Sequence, residues 1–514
     1  MDIYLDANAT TPVLLQAHAA ALEAMNETFG NPSSIHASGL RARALLDRVR
    51  ASARRVLEVQ TGKLLFTSGA TEGIHTAVLS ALMDLRARRD AGGEVPTLLL
   101  YGATEHKAVP AALTHWNQLL GMDLTILSIP VGSDGRHNLA WLAEHAMSAG
   151  LVCTMAANNE TGVISDLDGI AAALERSPAL WMVDSVQALG KLPLKLSGRR
   201  IHYAPFSGHK LYAPKGVGLL YVREGAPFTP LLTGGGQEEG QRAGTENMAG
   251  IAALGAVLDA LEDGHTFHSP ATLLQHRQRL VQALQEAFPG LVFNAPAERC
   301  VPTTLNFSVP GLTARDVQEV FDAAGLQVSG GSACGAAQAR PSHVLEAMGL
   351  PAWQAAGAIR LSFGAADSSD LIRAACGRIQ GCRGSLSVTP SACDLDLSVE
   401  QVLALRQAAP RPVLVDVREW HEQGALITSP LGAGWACESA PSSALPDHLS
   451  RWLALPAEVP VVFFCNSGLR STRAARALRQ HGHALAFSLR PAGHPPAVAA
   501  APATPPPASP AHPR

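Results

Sequence analysis

Ser207-Gly208-His209-Lys210 brings a lysine up behind small residues, and the apolar run GVGLLYV (216–222) follows closely. A solvated surface lysine needs no such approach. A lysine enclosed by apolar walls has its pKa depressed and becomes an amine able to form a Schiff base with a carbonyl. Lys215, between Pro214 and Gly216, suits a turn and is read as structural.

Three further stretches supply groups that such an amine would work beside. WMVDSVQALG ends an apolar run at Asp184, with Gln187 just beyond it. A carboxylate there reads either as a helix cap or as the partner of a protonated heterocyclic nitrogen, the acid that a pyridoxal phosphate ring needs if it is to draw electrons. FTSGATEG (66–73) passes from a strand through glycine into a helix start, where free N–H groups and the helix dipole favour an anion. Ser68, Thr71 and Glu72 also suit ordinary capping. Ser207 and His209 would add donors to the same anion. His106, in ATEHKAV (103–109), follows the strand TLLLY in a position to lie against a ring face.

Two of the eight cysteines have settings that differ from the usual buried thiol. Cys334 lies in VSGGSACGAAQARPS, whose small residues have little to pack and form a loop able to move. Cys465 ends the apolar run VVFFC and opens the loop NSGLR, where successive N–H groups and Arg470 would lower a thiol's pKa and stabilise a persulfide. The cysteines show no zinc-like CxxC pairs, and a reducing compartment would keep them as thiols.

These residues need a scaffold, and the pattern supplies an α/β one. From Ile3 to about Arg383, helical stretches alternate with short apolar strands at 64–66, 97–101, 151–158, 180–184 and 216–222. That alternation predicts a largely parallel sheet with ligands at the strands' C-terminal ends. A Gly-, Ser- and Cys-rich connector at 381–398 leads to a second α/β pattern, with helices at 395–407 and 471–481 and strands at 413–417 and 461–465. The expected domains are 1–385, a linker at 386–395, a smaller domain at 396–490, and a tail at 491–514. The tail's Pro/Ala composition buries too little surface to order it. Hydrophobic residues make up 47% of the 514, the net charge is -3 and the pI about 6.7, which exclude a general nucleic-acid or membrane-surface binder. The N-terminus lacks the features of a secretory leader and no apolar run reaches membrane-span length, so a cytoplasmic protein is expected.

Residues 1 to about 385 resemble the cysteine desulfurase family of fold-type I pyridoxal phosphate enzymes. The matching runs include YLDANATTP (4–12), GNPSSIHASG (30–39), FTSGATE (66–72), TEHKAV (104–109), NNETG (158–162), VDSVQALGK (183–191), SGHKLYAPKGVG (207–218), GGGQEEGQRAGTEN (234–247), SGGSACG (329–335) and IRLSFG (359–364). The resemblance implies pyridoxal 5′-phosphate bonded to Lys210, with Asp184 on the ring nitrogen, Gln187 on the ring hydroxyl and His106 stacked on the ring. It places Ala70, Thr71, Ser207 and His209 on the phosphate, with Thr245 reaching it from a second subunit, hence a homodimer. Asn159 and Arg360 would orient L-cysteine, Arg360 as a carboxylate fork. Cys334 would accept the sulfur, with His106 moving protons nearby.

From about 396 to 490, VLVDVRE (413–419) and VVFFCNSGLRS (461–471) resemble a single-domain rhodanese, with Cys465 as sulfur carrier and Arg470 meeting an anionic partner. The family's Gly-His-Ile-Pro-Gly-like run is replaced by QGALITSPLGAG (423–434), and its Gly-Gly and aromatic ending by LRPAGHPP. Together the two parts imply a desulfurase that passes sulfur from Cys334 to Cys465. An iron–sulfur scaffold or a thiolation enzyme would be the protein acceptor. A selenocysteine lyase, or another lyase whose second domain only docks, is the alternative.

Overall fold

The run AGLVCTM carries no charge and a single polar side chain, Thr154, and a computed structural model places it inside a seven-stranded sheet, buried along its whole length. The structure describes residues 2–330, 341–383, 395–405, 410–423, 431, 435, 437–466 and 468–489. They fall into two units, one within 2–383 and one within 395–489.

The first unit begins with β1 (Ile3–Tyr4) and then builds the large sheet from β2 (Lys63–Thr67), β3 (Leu98–Gly102), β4 (Thr125–Ile129), β5 (Ala149–Met155), β6 (Leu180–Asp184), β7 (Tyr203–Ser207) and β8 (Gly218–Val222). Their order is β2-β8-β7-β6-β5-β3-β4. Only β8 runs against its neighbours in this sheet, so the C-terminal ends of the other six strands share one edge. Alternation along the strands separates two cores. Leu151, Cys153 and Met182 face the helix Ala70–Asp90, which meets them with Ile74, Ala77, Val78, Ala81, Leu82 and Leu85 at helical spacing. Val152, Trp181 and Val183 face the opposite core, where helices Ala37–Val56 and Met248–Glu262 contribute Leu46, Val49, Ile251 and Leu254. Burying each Leu, Ile, Val or Met side chain among these stabilises the fold by about 1.5–3 kcal/mol.

A smaller half follows, with β9 (Val292–Phe293), β10 (Thr304–Ser308), β11 (Leu326–Gln327), β12 (Ser329–Gly330) and β13 (Ile359–Ser362). Four of these form an antiparallel sheet in the order β12-β13-β10-β9, while β11 pairs with β1. The N-terminal segment links the two halves: Ala7 N–H donates to Ser362 O at 2.9 Å, and Thr11 N–H donates to His209 O at 2.9 Å.

The second unit is a parallel five-stranded sheet of β14 (Asp396–Leu397), β15 (Val413–Asp416), β16 (Cys437–Ser439), β17 (Val461–Phe464) and β18 (Ala486–Leu489), ordered β14-β18-β17-β15-β16. The helix expected over 395–407 is corrected at its start. Asp396 and Leu397 pair with Ser488 and Leu489 as an edge strand, and the helix runs over Val399–Leu405. The strand pairing consumes the backbone groups that an earlier helix start would have used. Among the described residues no helix is long and apolar enough to cross a membrane.

Candidate active site

Lys210 ends a single 3-10 turn, Gly208–Lys210, directly after β7. Its ammonium, half-buried, donates to the carbonyl oxygens of Asn8 at 2.6 Å and Ala9 at 2.7 Å. Two residues on, Tyr212 has a left-handed backbone with φ 63°, a costly conformation for a bulky residue. It is held there by its N–H bond to Thr11 Oγ1 at 2.7 Å and by its hydroxyl, which accepts from Ala366 N–H at 3.0 Å. Glycine is required nearby at Gly218, where a Cβ would lie 2.5 Å from Phe206 O and 2.8 Å from Gly69 Cα.

Lys210 opens on a cavity of about 610 Å³ at the shared strand edge. Asp184, Gln187, His106, Ala70, Thr71, Ser207, His209, Asn159 and Arg360 all line it. Most come from a strand end or the loop after it, as the parallel topology dictates; Ala70 and Thr71 open the helix Ala70–Asp90, and Arg360 lies in β13. Lys215, in the exposed turn expected for it, lines the cavity too.

Asp184 closes β6 and is 6% exposed. Burial pushes its carboxyl up to about 6, against the Val186 N–H bond at 3.0 Å and the charge of Lys210. A buried acid facing a cavity in this way is poised for a cationic partner. Gln187 donates from Nε2 to Asn8 O at 3.1 Å and accepts at Oε1 from Lys191 at 2.6 Å. His106 stands exposed in the open cavity. The surrounding protein lowers its pKa, and Lys210, His343 and Lys107 lower it further. Its Nδ1 accepts from Ala108 N–H at 3.2 Å, which leaves the proton of the neutral ring on Nε2.

At the opposite end the helix Ala70–Asp90 begins without a side-chain cap, presenting its first N–H groups. Glu72 does not compete for that space. It accepts from Ser68 N–H at 2.7 Å and is clamped by Arg242 at 2.9 and 3.1 Å. Burial opposes its ionisation, but these bonds hold its pKa below the ordinary value. Burial, then Lys210 and Lys215, lower His209 to about 4, so its ring is neutral at pH 7 and bonds Thr10 Oγ1 at 3.2 Å.

Arg360 is 2% exposed and meets Asp6 Oδ1 at 2.6 Å and Asn159 O at 3.1 Å. Asp6 in turn accepts from Ser329 Oγ at 3.0 Å. The motif reading missed Asp6, although it is the one carboxylate within YLDANATTP. It also missed Asn8 and Lys191. Thr245 is exposed and does not line the cavity; it borders a smaller recess together with Ser68 and Gly216. Cys334 lies outside the described residues, as do all of the linker but Leu395, the tail and most of 423–434.

In the second unit, Cys465 follows β17 and is 8% exposed. Its sulfur accepts from Gly468 N–H at 3.1 Å, and Ser471 Oγ lies 3.5 Å away. Gly468 adopts φ 84° and caps the helix Leu469–Gln480. Arg470 is engaged by Glu422 through two contacts, at 2.5 and 2.8 Å. That pairing, more than any opposing burial, holds Glu422 down to about 2.

Residues 3–374 match the model of the aminotransferase class-V family, and residues 398–490 match that of the rhodanese-like domain. The cysteine desulfurase of Cereibacter sphaeroides is 39% identical over 363 residues, 70% of this chain and 90% of that protein. The cysteine desulfurase NifS of Azotobacter vinelandii is 36% identical over 365 residues, 70% and 87% of the respective chains. Among solved structures, a NifS-like protein superposes with TM-score 0.65 at 30% identity, covering 75% of this chain and 100% of its own. DndA from Streptomyces lividans gives TM-score 0.57 at 32% identity, covering 70% and 99%.

The family works with pyridoxal 5′-phosphate, and the cavity fits that group on its own chemistry. It combines an amine, a buried acid with a raised pKa and an uncapped helix start beside Ser207. This chain belongs to the class-V aminotransferase family, and within it to the cysteine desulfurases, and it carries a C-terminal rhodanese-like domain.

Proposed function

We propose that this chain removes sulfur from L-cysteine and relays it through two of its own thiols. The observation carrying this reading is the convergence of Lys210, Asp184, Gln187, His106 and Arg360 on one cavity. Asp184, Gln187 and His106 would hold the pyridoxal ring, and Ala70, Thr71, Ser207 and His209 its phosphate. The bound group supplies an electron sink for bonds made and broken at the substrate's α-carbon.

The chain's own residues do the rest. Arg360 binds the substrate carboxylate, with Asn159 fixing its fork. Lys210 moves the proton at the α-carbon. The Cys334 thiolate attacks the substrate sulfur, so that an S–S bond forms as the C–S bond breaks. L-Cysteine and the thiol become L-alanine and a persulfide, with His106 Nε2 carrying protons between sulfur and carbon fragments. Thiol exchange then moves the outer sulfur to Cys465 and restores Cys334. Tethering both thiols on one chain raises their effective concentration. An iron–sulfur scaffold or a thiolation enzyme takes the sulfur last.

The active form is a homodimer in this reading, with Thr245 of one copy serving the phosphate of the other. Leu15, Phe29 and Ile35, at 85%, 68% and 92% exposure, support a buried face around residues 13–40. Alanine release from L-cysteine and from L-selenocysteine is the test. Turnover of cysteine that is lost in Lys210→Ala supports the desulfurase; turnover of selenocysteine alone would replace it with the lyase.

A further inference from the structure

Lys191 is only partly buried, but its ammonium reaches two buried carboxamides, Gln187 Oε1 at 2.6 Å and Asn8 Oδ1 at 3.0 Å. Lysine carries donors and no acceptor while charged. Both carboxamides must therefore turn their oxygens toward it. For Gln187 this leaves Nε2, one of whose hydrogens goes to Asn8 O at 3.1 Å. The other is left for the cavity that Gln187 lines. Flipping the amide would set NH₂ against ammonium and oxygen against carbonyl, so both bonds would fail at once.

We propose that Lys191 is a positioning residue: by holding the Gln187 oxygen it makes Gln187 present an N–H donor to the cavity, so that the site selects a ring substituent in its ionised, accepting form. This rests on the assignment of Gln187 to the cofactor's ring hydroxyl. Asn8 transmits the same constraint further. With its oxygen on Lys191, its Nδ2 donates to Asn159 O at 3.1 Å and Thr304 Oγ1 at 2.8 Å, and Asn159 O also receives Arg360. Burial, then the charges of Lys210 and Arg360, lower Lys191 to about 7. Even as a neutral amine it keeps two hydrogens, one for each oxygen.

The test uses the full-length, cofactor-loaded protein and follows the pH midpoint at which the visible absorption band interconverts, without substrate. Lys191→Met is expected to raise the midpoint by about half a pH unit or more, because an ionised oxygen loses donor support. Lys191→Arg, which keeps the donors, should restore it. If Lys191→Met does not fold, Lys191→Gln, which can present either end, is read for the same shift. A double-mutant cycle separates positioning from bare charge. The Lys191 shift should vanish in a Gln187→Met background. An equal shift in both backgrounds, or none in either, overturns the inference while leaving the cofactor assignment intact. A wild-type chain that never acquires the band overturns both.

Discussion

Arg360 and Asp6 meet guanidinium to carboxylate at 2.6 Å, joining a strand of the smaller half to the chain's first residues. Arg360 is thus oriented before any substrate arrives, and its charge is shared in advance. An incoming carboxylate must bind the remaining face of the fork. Arg360→Lys replaces a planar fork by a point charge and should lower kcat/KM for L-cysteine about 10–100-fold, mostly through KM. Asp6→Asn loosens the fork and should raise KM several-fold, roughly 3–10 times, with kcat within about twofold. Steady-state alanine release checks both.

Asp184 carries a pH signature of its own. Its pKa rises to about 6 in the folded, ligand-free chain, above an unfolded value near 3.9. The folded state therefore holds this proton more tightly, and stability from Asp184 is present at low pH and lost as pH rises through about 4 to 6. Asp184→Asn cannot ionise, so its melting temperature relative to wild type should be higher at pH 7.5 than at pH 5. With cofactor and L-cysteine the same variant should turn over about 10²–10³-fold more slowly, since the ring nitrogen loses its acidic partner.

The relay assigns separate fates to the two thiols. Cys465→Ser should release alanine at the wild-type initial rate while its persulfide stays on Cys334. Cys334→Ala should lose alanine release and leave Cys465 unloaded. Mass spectrometry of the chain after L-cysteine treatment distinguishes these patterns; equal loading of Cys465 in wild type and Cys334→Ala would contradict the relay.

Glu422 occupies Arg470, the one guanidinium in the CNSGLR loop. Freeing that charge should favour the Cys465 thiolate. Glu422→Ala is expected to speed alkylation of Cys465 by iodoacetamide at pH 7 about 2–10-fold, and Arg470→Ala to slow it. Peptide-level modification rates measure both.

Much of this architecture is legible along the chain because its signals are local. Asp184 is the first polar residue after an uninterrupted apolar run, and Lys210 follows the small pair Ser207-Gly208 within four residues. Parallel strands then bring such endings to one edge, which is why motifs far apart in the chain share a cavity. The Asp6–Arg360 pair has no comparable signal. Its partners are separated by 354 positions, and no helical or strand period links them. Lys191 has only a local partner in Gln187, four residues away, and its bond to Asn8 exists only once the N-terminal segment folds across the lysine turn. Lys215 suits a turn on sequence grounds, and only the placement of that turn reveals it at the cavity.

The most direct measurement of the central claim is the visible spectrum of the purified, pyridoxal phosphate-reconstituted chain before and after L-cysteine, read beside Lys210→Ala. A band that changes on addition, with one alanine formed per sulfur recovered, and that is lost or unresponsive in the variant, is expected. A colourless wild type, or alanine formed equally well without Lys210, would contradict it.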